Sequence, residues 1–503
     1  MSKKIIWLIL IFLSIKFSTI AGIPTNPNIV IIHVDDLGWR DLGIMGSPVY
    51  ETPNIDQLAK SGTLFTSAYA AAPICSPSRA CMLTGSQPTR HGIYTVNKNR
   101  GNKTHWSVTP LKNKQYLPKG YPTIATELSK AKIANGAIGK WHLSVKPTQY
   151  GFTESKWGGY LGMPINYFAP FNLPFLPKDV PKGSYLPTYI RSAGTSFLER
   201  HHKETFFLYY STYLPHDEIQ NKEETSKLQA PKDIVEKYKI KINKLQKAGK
   251  NLQGHTNPVY AAMIEETDRS VGVIIRKLEE LKLRKNTLVL FISDNGGLSK
   301  YTSNQPLRGE KCNLYEGGIR VPMIASMPGY ISAGTKCDTP VSGIDFYPTI
   351  CRLMNVKATD PSKVDGDDLS DLMFNVAQIK ERNLFWNFPV YNRPSISSRC
   401  PRSAMRRGDW KIIHRYEERD YELYNLREDI GESNDLSTSN PKELARMKNE
   451  LNHCYKRFNA TDTLAKNPDY NKTTANAERE KTQPETRPTS MSTAQAYIKF
   501  NLY

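Results

Sequence analysis

The chain has 503 residues, enough for two or three domains, and its 39% hydrophobic and 23% charged content is that of a soluble globular protein. Seven scattered cysteines, an odd number, exclude both a disulfide scaffold and a zinc-type spacing, and leave at least one thiol free or chemically converted. A formal net charge of +20 favours polyanionic partners: nucleic acid, acidic membrane surfaces, or sulfated and carboxylated polysaccharides.

Lys3 and Lys4, the apolar run 5–15 and the small residues Thr19-Ile20-Ala21 predict a signal peptide over residues 1–21. Removing its Lys3, Lys4 and Lys16 leaves 20 − 3 = +17 on the mature chain. No cysteine follows the apolar run to carry a lipid, and no later segment reaches the roughly 18 apolar residues of a spanning helix. Export sets nucleic acid aside, and no membrane insertion is expected. The short signal and the Lys/Asn-rich composition lean towards a bacterial periplasm, with secretion or the cell surface next. Sequons at Asn102, Asn459 and Asn471 matter only in a eukaryotic secretory pathway.

"NIVIIHVDDLGW" (28–39) is a β-branched apolar run ending in two acids, which predicts a buried strand. In "TPNIDQLAKSG", Thr52 predicts a helix cap, Pro53 the first turn and Gly62 the exit. Residues 205–211 and 287–297 predict two further buried strands, and 257–281 has helical periodicity between them. The lysines of 237–250 read as a solvated helix face. Strands alternating with helices predict an α/β unit with a central, largely parallel sheet, whose functional groups collect beyond the strand carboxyl ends. Beyond Met373, "NLFWNFPV", "SAMRRGDWKIIHR" and "YELYNLRED" predict short antiparallel strands, and 440–458 a helix. The predicted organisation is a catalytic domain over 24–380, a smaller α+β unit over 381–460, and a polar tail, extended or disordered, over 461–503.

Asp35-Asp36 and Asp294-Asn295 fall at two predicted strand ends, with glycine close behind each. Three carboxylates and an amide oxygen suit a hard divalent ion, Ca²⁺ or Mg²⁺, although such pairs also serve as plain turn and cap acids. Between them lies "CSPSRACMLTG" (75–85), whose Cys75 fits neither a disulfide framework nor a zinc knuckle.

These residues resemble one family. The stretch 75–85 is similar to the signature C-x-P-S-R-x-x-x-L-T-G of type I sulfatases at all seven specified positions of its eleven. "VDDLGW" (34–39), "GKWHL" (139–143), "SDNGG" (293–297), "LRGEKCNLYEGGIRVP" (307–322), "DFYPTI" (345–350) and "GDWKII…YELYNL" follow the family's order. The resemblance implies an alkaline-phosphatase-like fold, with a large mixed, mostly parallel sheet between helices and a smaller C-terminal α+β domain carrying an antiparallel sheet. It implies hydrolysis of sulfate esters through Cys75, oxidised to formylglycine by a maturing enzyme and hydrated to a gem-diol. By the same resemblance, Asp35, Asp36, Asp294, Asn295 and the modified Cys75 bind Ca²⁺, or less readily Mg²⁺. Arg79 orients the diol, Lys140 and Lys311 hold sulfate oxygens, His142 takes a proton during sulfate release, and His216 protonates the leaving alcohol.

After folding, the stretch from Pro77 is expected to open a helix, with Cys81 a buried, apolar-like residue. Two departures stand out: Asn166 occupies the region where the family often has a serine, and Asp217-Glu218 follow His216 where the family often continues H-x-P. Two acids there oppose an anionic substrate unless a cation offsets them. The expected substrate is a sulfated polysaccharide or its oligosaccharides, of algal ulvan or carrageenan type or a glycosaminoglycan. Trp157, Tyr160, Tyr167, Phe168 and the basic segment 393–407 are candidates to line its cleft, or equally packing residues and surface charge. The alternatives are a phosphonate monoester or phosphodiester hydrolase of the same superfamily, and an inactive module that only binds polyanions.

Overall fold

The computed structural model describes residue 22 and residues 24–96, 102–171, 173, 179–218, 228–392 and 401–480. The signal peptide, Cys400, residues 393–400 of the basic segment and the tail beyond 480 lie outside them. Among the described residues no helix is long and apolar enough to cross a membrane.

Fourteen strands of the described residues form three sheets. The largest contains β1 (Asn28–Val34), β2 (Thr63–Phe65), β4 (Ala134–Gly139), β5 (Glu154–Lys156), β6 (Phe206–Ser211), β7 (Thr287–Ser293), β8 (Met323–Ser326) and β9 (Thr335–Cys337), in the order β5-β4-β6-β1-β7-β8-β2-β9. Its pairs are parallel except β7–β8 and β8–β2. β3 (Ala68–Tyr69) and β10 (Val341–Ser342) form a short ribbon, and β11 (Asn383–Phe388), β12 (Arg402–Arg407), β13 (Trp410–Arg415) and β14 (Asp420–Asn425) an antiparallel meander. The fold class read from the sequence therefore holds.

β1 and β7 are buried along their whole length because helices cover both faces of the sheet. Val30, Ile32 and Val34 face helices Leu186–His201, Lys232–Lys247 and Pro258–Glu280, through Ile190, Tyr238 and Tyr260 among others. Ile29 and Ile31 face the helix Cys75–Thr84 and helices Ile124–Lys130 and Phe346–Leu353. The predicted helix runs Pro53–Lys60 with Thr52 at its N-cap position, but the Thr52 side chain makes no capping bond; its Oγ1 accepts from Gly43 N instead, and Ser61 is the C-cap with Gly62 directly after it.

The meander also alternates. Leu384, Trp386, Ala404 and Ile413 pack toward Cys75 and Tyr315. Phe385, Met405, Ile412 and Leu423 pack on Met447, Leu451 and Tyr455 of helix Pro441–Arg457. A buried ion network ties it to the main body: Lys411 Nζ lies 2.8 Å from Glu316 Oε1 and 2.8 Å from Glu432 Oε1. The expected loose tail starts as ordered chain. Lys466 bridges Val108, Asn467 is buried and bonds Lys103 O and Trp106 O, and Lys472–Glu480 is a helix. These bonds run largely through backbone and amide groups, which a hydropathy reading does not register.

Candidate active site

Sheet register builds the site. Val34 pairs with Ser293, His33 with Ser211, and Gly139 with Ser211. The residues that follow, Asp35, Asp294, Thr212 and Lys140, therefore leave the carboxyl ends of four neighbouring parallel strands side by side. Backbone bonds fix the exits: Asp294 N donates to Val34 O (3.0 Å), Lys140 N to Ser211 O (2.9 Å) and Asp35 N to Leu214 O (3.2 Å). At Gly139 a side chain is impossible, since a Cβ there would meet Ser211 O at 1.8 Å.

Helix Cys75–Thr84 aims its amino end at these exits, opening at Cys75, two residues before the expected Pro77. Pro77 is tolerated because the first turn needs no amide donor there. Cys75 Sγ lies 3.6 Å from Asp35 Oδ1 and 3.8 Å from Asp36 Oδ1. One turn on, Arg79 is fully buried; its Nε and Nη2 donate to Asp294 Oδ2 at 2.9 and 2.7 Å, and its Nη1 to Ser211 Oγ at 2.5 Å. Burial works against its charge, but Tyr209, Asp294 and Asp35 hold its pKa above the ordinary value. Cys81 is buried too, with Sγ 3.4 Å from His91 Nε2, so it has a polar partner as well as apolar packing.

The two lysines reach the aspartates from opposite elements. Lys140 Nζ is 2.6 Å from both oxygens of Asp35, and Lys311 Nζ is 2.6 Å from Asp36 Oδ2 and 2.9 Å from His216 Nε2. Asp36, His142 and Cys312 all take left-handed backbone, with φ of 58°, 62° and 73°, conformations that a non-glycine residue holds only when its surroundings enforce them. His142 is pressed by Gly162, where a Cβ would come within 2.2 Å of the ring. Its carbonyl accepts from Ser76 Oγ, tying it to the Cys75 helix.

The two histidines are driven apart. Burial, and then Lys140, Arg79, His216 and Lys311, push the pKa of His142 well below the ordinary value. Burial and Lys311 also oppose a charge on His216, but Asp36, Asp35 and Asp217 outweigh them and raise its pKa well above the ordinary value. The same field of charges thus shifts the two rings in opposite directions. Burial raises Asp35 to about 6 against the pull of Lys140 and His216.

The donor set fits a hard divalent cation. Ligand atoms of Asp35, Asp36, Cys75 and His216 all lie within 4.8 Å of one another. Asp294 Oδ1 and Asn295 Nδ2 contact Asp36, at 3.0 Å to its amide and 2.8 Å to its Oδ1. Asn295 Nδ2 is thereby used as a donor, while its buried Oδ1 has no hydrogen-bond partner among the described residues. An orphaned buried acceptor beside three carboxylates is what a Ca²⁺ or Mg²⁺ ligand shell requires.

The structure thus brings Asp35, Asp36, Cys75, Arg79, Lys140, His142, His216, Asp294, Asn295 and Lys311 together. Asn166 bonds elsewhere, its amide donating to Pro170 O at 3.4 Å. Tyr167 is fully buried and donates to the carbonyls of Tyr213 and His216 at 2.6 and 2.8 Å, so it supports the His216 turn and does not line a cleft. Phe168 packs on Tyr185, and Trp157 on Phe171 and Tyr189. Sequence reasoning missed the groups behind Arg79. Tyr209 and Ser211 accept its Nη1, and His33 Nδ1 lies 2.8 Å from the Tyr209 hydroxyl. Their signal was present: polar residues inside otherwise apolar, doubly covered strands.

Residues 27–356 match the sulfatase family model, and residues 309–459 match that described as N-sulphoglucosamine sulphohydrolase, C-terminal. The N-acetylgalactosamine-6-sulfatase of Rattus norvegicus is 33% identical over 397 residues, covering 73% of this chain and 69% of that protein. A sulfatase of Formosa agariphila is 29% identical over 527 residues, covering 88% and 91%. Among solved structures, Ps i-CgsB in complex with k-i-k-neocarrahexaose shares 28% identity and a TM-score of 0.70, covering 91% of this chain and 97% of that one.

Proposed function

The chain belongs to the sulfatase family and hydrolyses sulfate esters, and from that premise we propose that it desulfates a sulfated polysaccharide or its oligosaccharides, with residue 75 carried as formylglycine beside a divalent cation. The observation that supports this reading best is the position of Cys75 Sγ, under 4 Å from both Asp35 and Asp36, at the opening of a helix and within a ring of cations. The substrate class is supported by the strongly basic charge that the mature chain retains and by relatives that act on or hold sugars, an N-acetylgalactosamine-6-sulfatase and a complex with k-i-k-neocarrahexaose. A maturing enzyme must supply the oxidation of Cys75 while the chain is unfolded, because the folded thiol is 2% exposed.

Residue 75 as hydrated formylglycine would supply one hydroxyl to attack sulfur and a second whose deprotonation would re-form the C=O and release sulfate. A cation held by Asp35, Asp36, Asp294 and Asn295 would polarise a sulfate oxygen and favour the deprotonated hydroxyl. Arg79, locked on Asp294, holds one of those carboxylates in place from behind. Lys140 and Lys311 bring positive charge to the sulfate oxygens as the transition state spreads negative charge over them. His216, whose Nε2 lies beside Asp36 and Lys311, delivers a proton to the leaving alcohol, and His142 removes one from residue 75. The test is sulfate released from a panel of sulfated oligosaccharides of defined linkage, with an aryl phosphonate as control. Release from at least one oligosaccharide, faster than phosphonate cleavage, is expected. Faster phosphonate cleavage would overturn the reading.

A further inference from the structure

His216 is gripped from behind. Its Nδ1 lies 2.8 Å from the carbonyl oxygen of Asp217 and 3.0 Å from Asp217 Oδ1. The other carboxylate oxygen, Oδ2, accepts the hydroxyl of Tyr301 at 2.8 Å. Tyr167 holds the same turn through the His216 carbonyl. With Nδ1 occupied in this way, Nε2 is the nitrogen turned toward the site, 3.4 Å from Asp36 Oδ2 and 2.9 Å from Lys311 Nζ. The acid that follows His216 is therefore not spent on repelling substrate; one of its oxygens faces the histidine and the other a tyrosine.

We propose that Asp217 is a positioning residue for departure of the alcohol: its carboxylate, fixed by Tyr301, holds the His216 ring so that Nε2 faces the ester oxygen. This rests on the reading of His216 as proton donor. In the step it serves, an oxygen carried by residue 75 bonds to sulfur while the bond from sulfur to the alcohol oxygen breaks, its electron pair staying on that alcohol oxygen. The Nε2 proton is delivered there, and the Nδ1 proton remains in its hydrogen bond to Asp217. A carboxylate on the remote nitrogen fixes both ring orientation and the identity of the reacting nitrogen. The effect must be largest where the leaving group needs a proton. A sugar alcohol does; 4-nitrophenolate leaves without one.

The experiment compares wild-type, Asp217→Ala, Asp217→Asn and His216→Ala full-length mature enzyme on a sulfated oligosaccharide that the wild type turns over and on 4-nitrophenyl sulfate. Asp217→Ala is expected to lose about 10- to 100-fold more kcat on the sugar sulfate than on the aryl sulfate, with KM changing less than about threefold. Asp217→Asn, which keeps a side-chain oxygen beside Nδ1 in addition to the backbone carbonyl that every variant retains, recovers part of the loss. Equal losses on both substrates, or none, overturn the proposal. If His216→Ala fails to discriminate between the two leaving groups, the premise itself is wrong, and that outcome is distinct from a failure of Asp217 alone. A crystal structure of Asp217→Ala gives a readout independent of turnover: the His216 ring should leave its contacts with Lys311 and Asp36, and an unmoved ring contradicts the assignment.

Discussion

At the scale of single residues, the groups that meet at the strand ends were legible because each sits in a short segment of recognisable spacing. Cys75 and Arg79 lie one helical turn apart, and Asp35 and Asp294 one residue past paired strand ends. Their supports were not legible. Ser211 and Tyr209 meet Arg79 across more than a hundred positions of chain, and only strand register brings them there. For Tyr167 the packing alternative holds: its hydroxyl satisfies the buried carbonyls of Tyr213 and His216. Gly162 offers a test at this scale. Its own backbone is not left-handed, so alanine fits the chain, but the added Cβ would displace the His142 ring. Gly162→Ala should lower kcat about 100-fold, the cost of misplacing a catalytic group by an ångström or so. The melting temperature should barely change. A wild-type kcat would show that His142 does not act from this position.

At the scale of elements, β1, β6 and β7 declared themselves as continuous apolar runs and the meander as alternation, whereas β4, whose sequence ANGAIG is no continuous apolar run, did not. The three-residue strands β2, β5 and β9 and the two-residue β3 and β10 carry too few side chains for any period to emerge. The antiparallel placement of β8 was hidden for the same reason, since nothing in four residues encodes direction. The joint between the meander and helix Pro441–Arg457 has a pH-dependent component. His414 stacks on Tyr421 and bonds the Tyr455 hydroxyl at 2.8 Å. Burial lowers its pKa to about 4, against the pull of Asp462 and Asp420. The unfolded chain takes up this proton near pH 6.5 and the folded chain only near 4, so the stability contribution is present above about 6.5 and is lost as pH falls toward 4. Between pH 7 and pH 5 the wild type should lose about 2 kcal/mol more than His414→Gln, measured by urea denaturation at both values. Parallel pH dependences in the two proteins would contradict this.

At the scale of the whole molecule, two units share one buried network. Lys411 sits on the meander and neutralises Glu316, which lies in the segment carrying Lys311 to the site, together with Glu432. Lys411→Met leaves two buried carboxylates without their shared cation and should cost about 3–5 kcal/mol, read as a lower urea midpoint; a loss under 1 kcal/mol would mean that the network is not what joins them. The overall charge makes a separate prediction. Added salt should raise KM for a polyanionic oligosaccharide steeply and leave KM for 4-nitrophenyl sulfate nearly unchanged, because only the former samples the basic surface beyond the pocket. Equal salt dependence would place the charge outside substrate recognition. All of this serves one claim, that residue 75 works as an aldehyde. The direct measurement is the mass of the tryptic peptide 61–79 from active enzyme made in cells that carry a sulfatase-maturing activity. A peptide about 18 Da lighter than its cysteine form is predicted, and fully active enzyme whose peptide carries only the thiol would contradict the account.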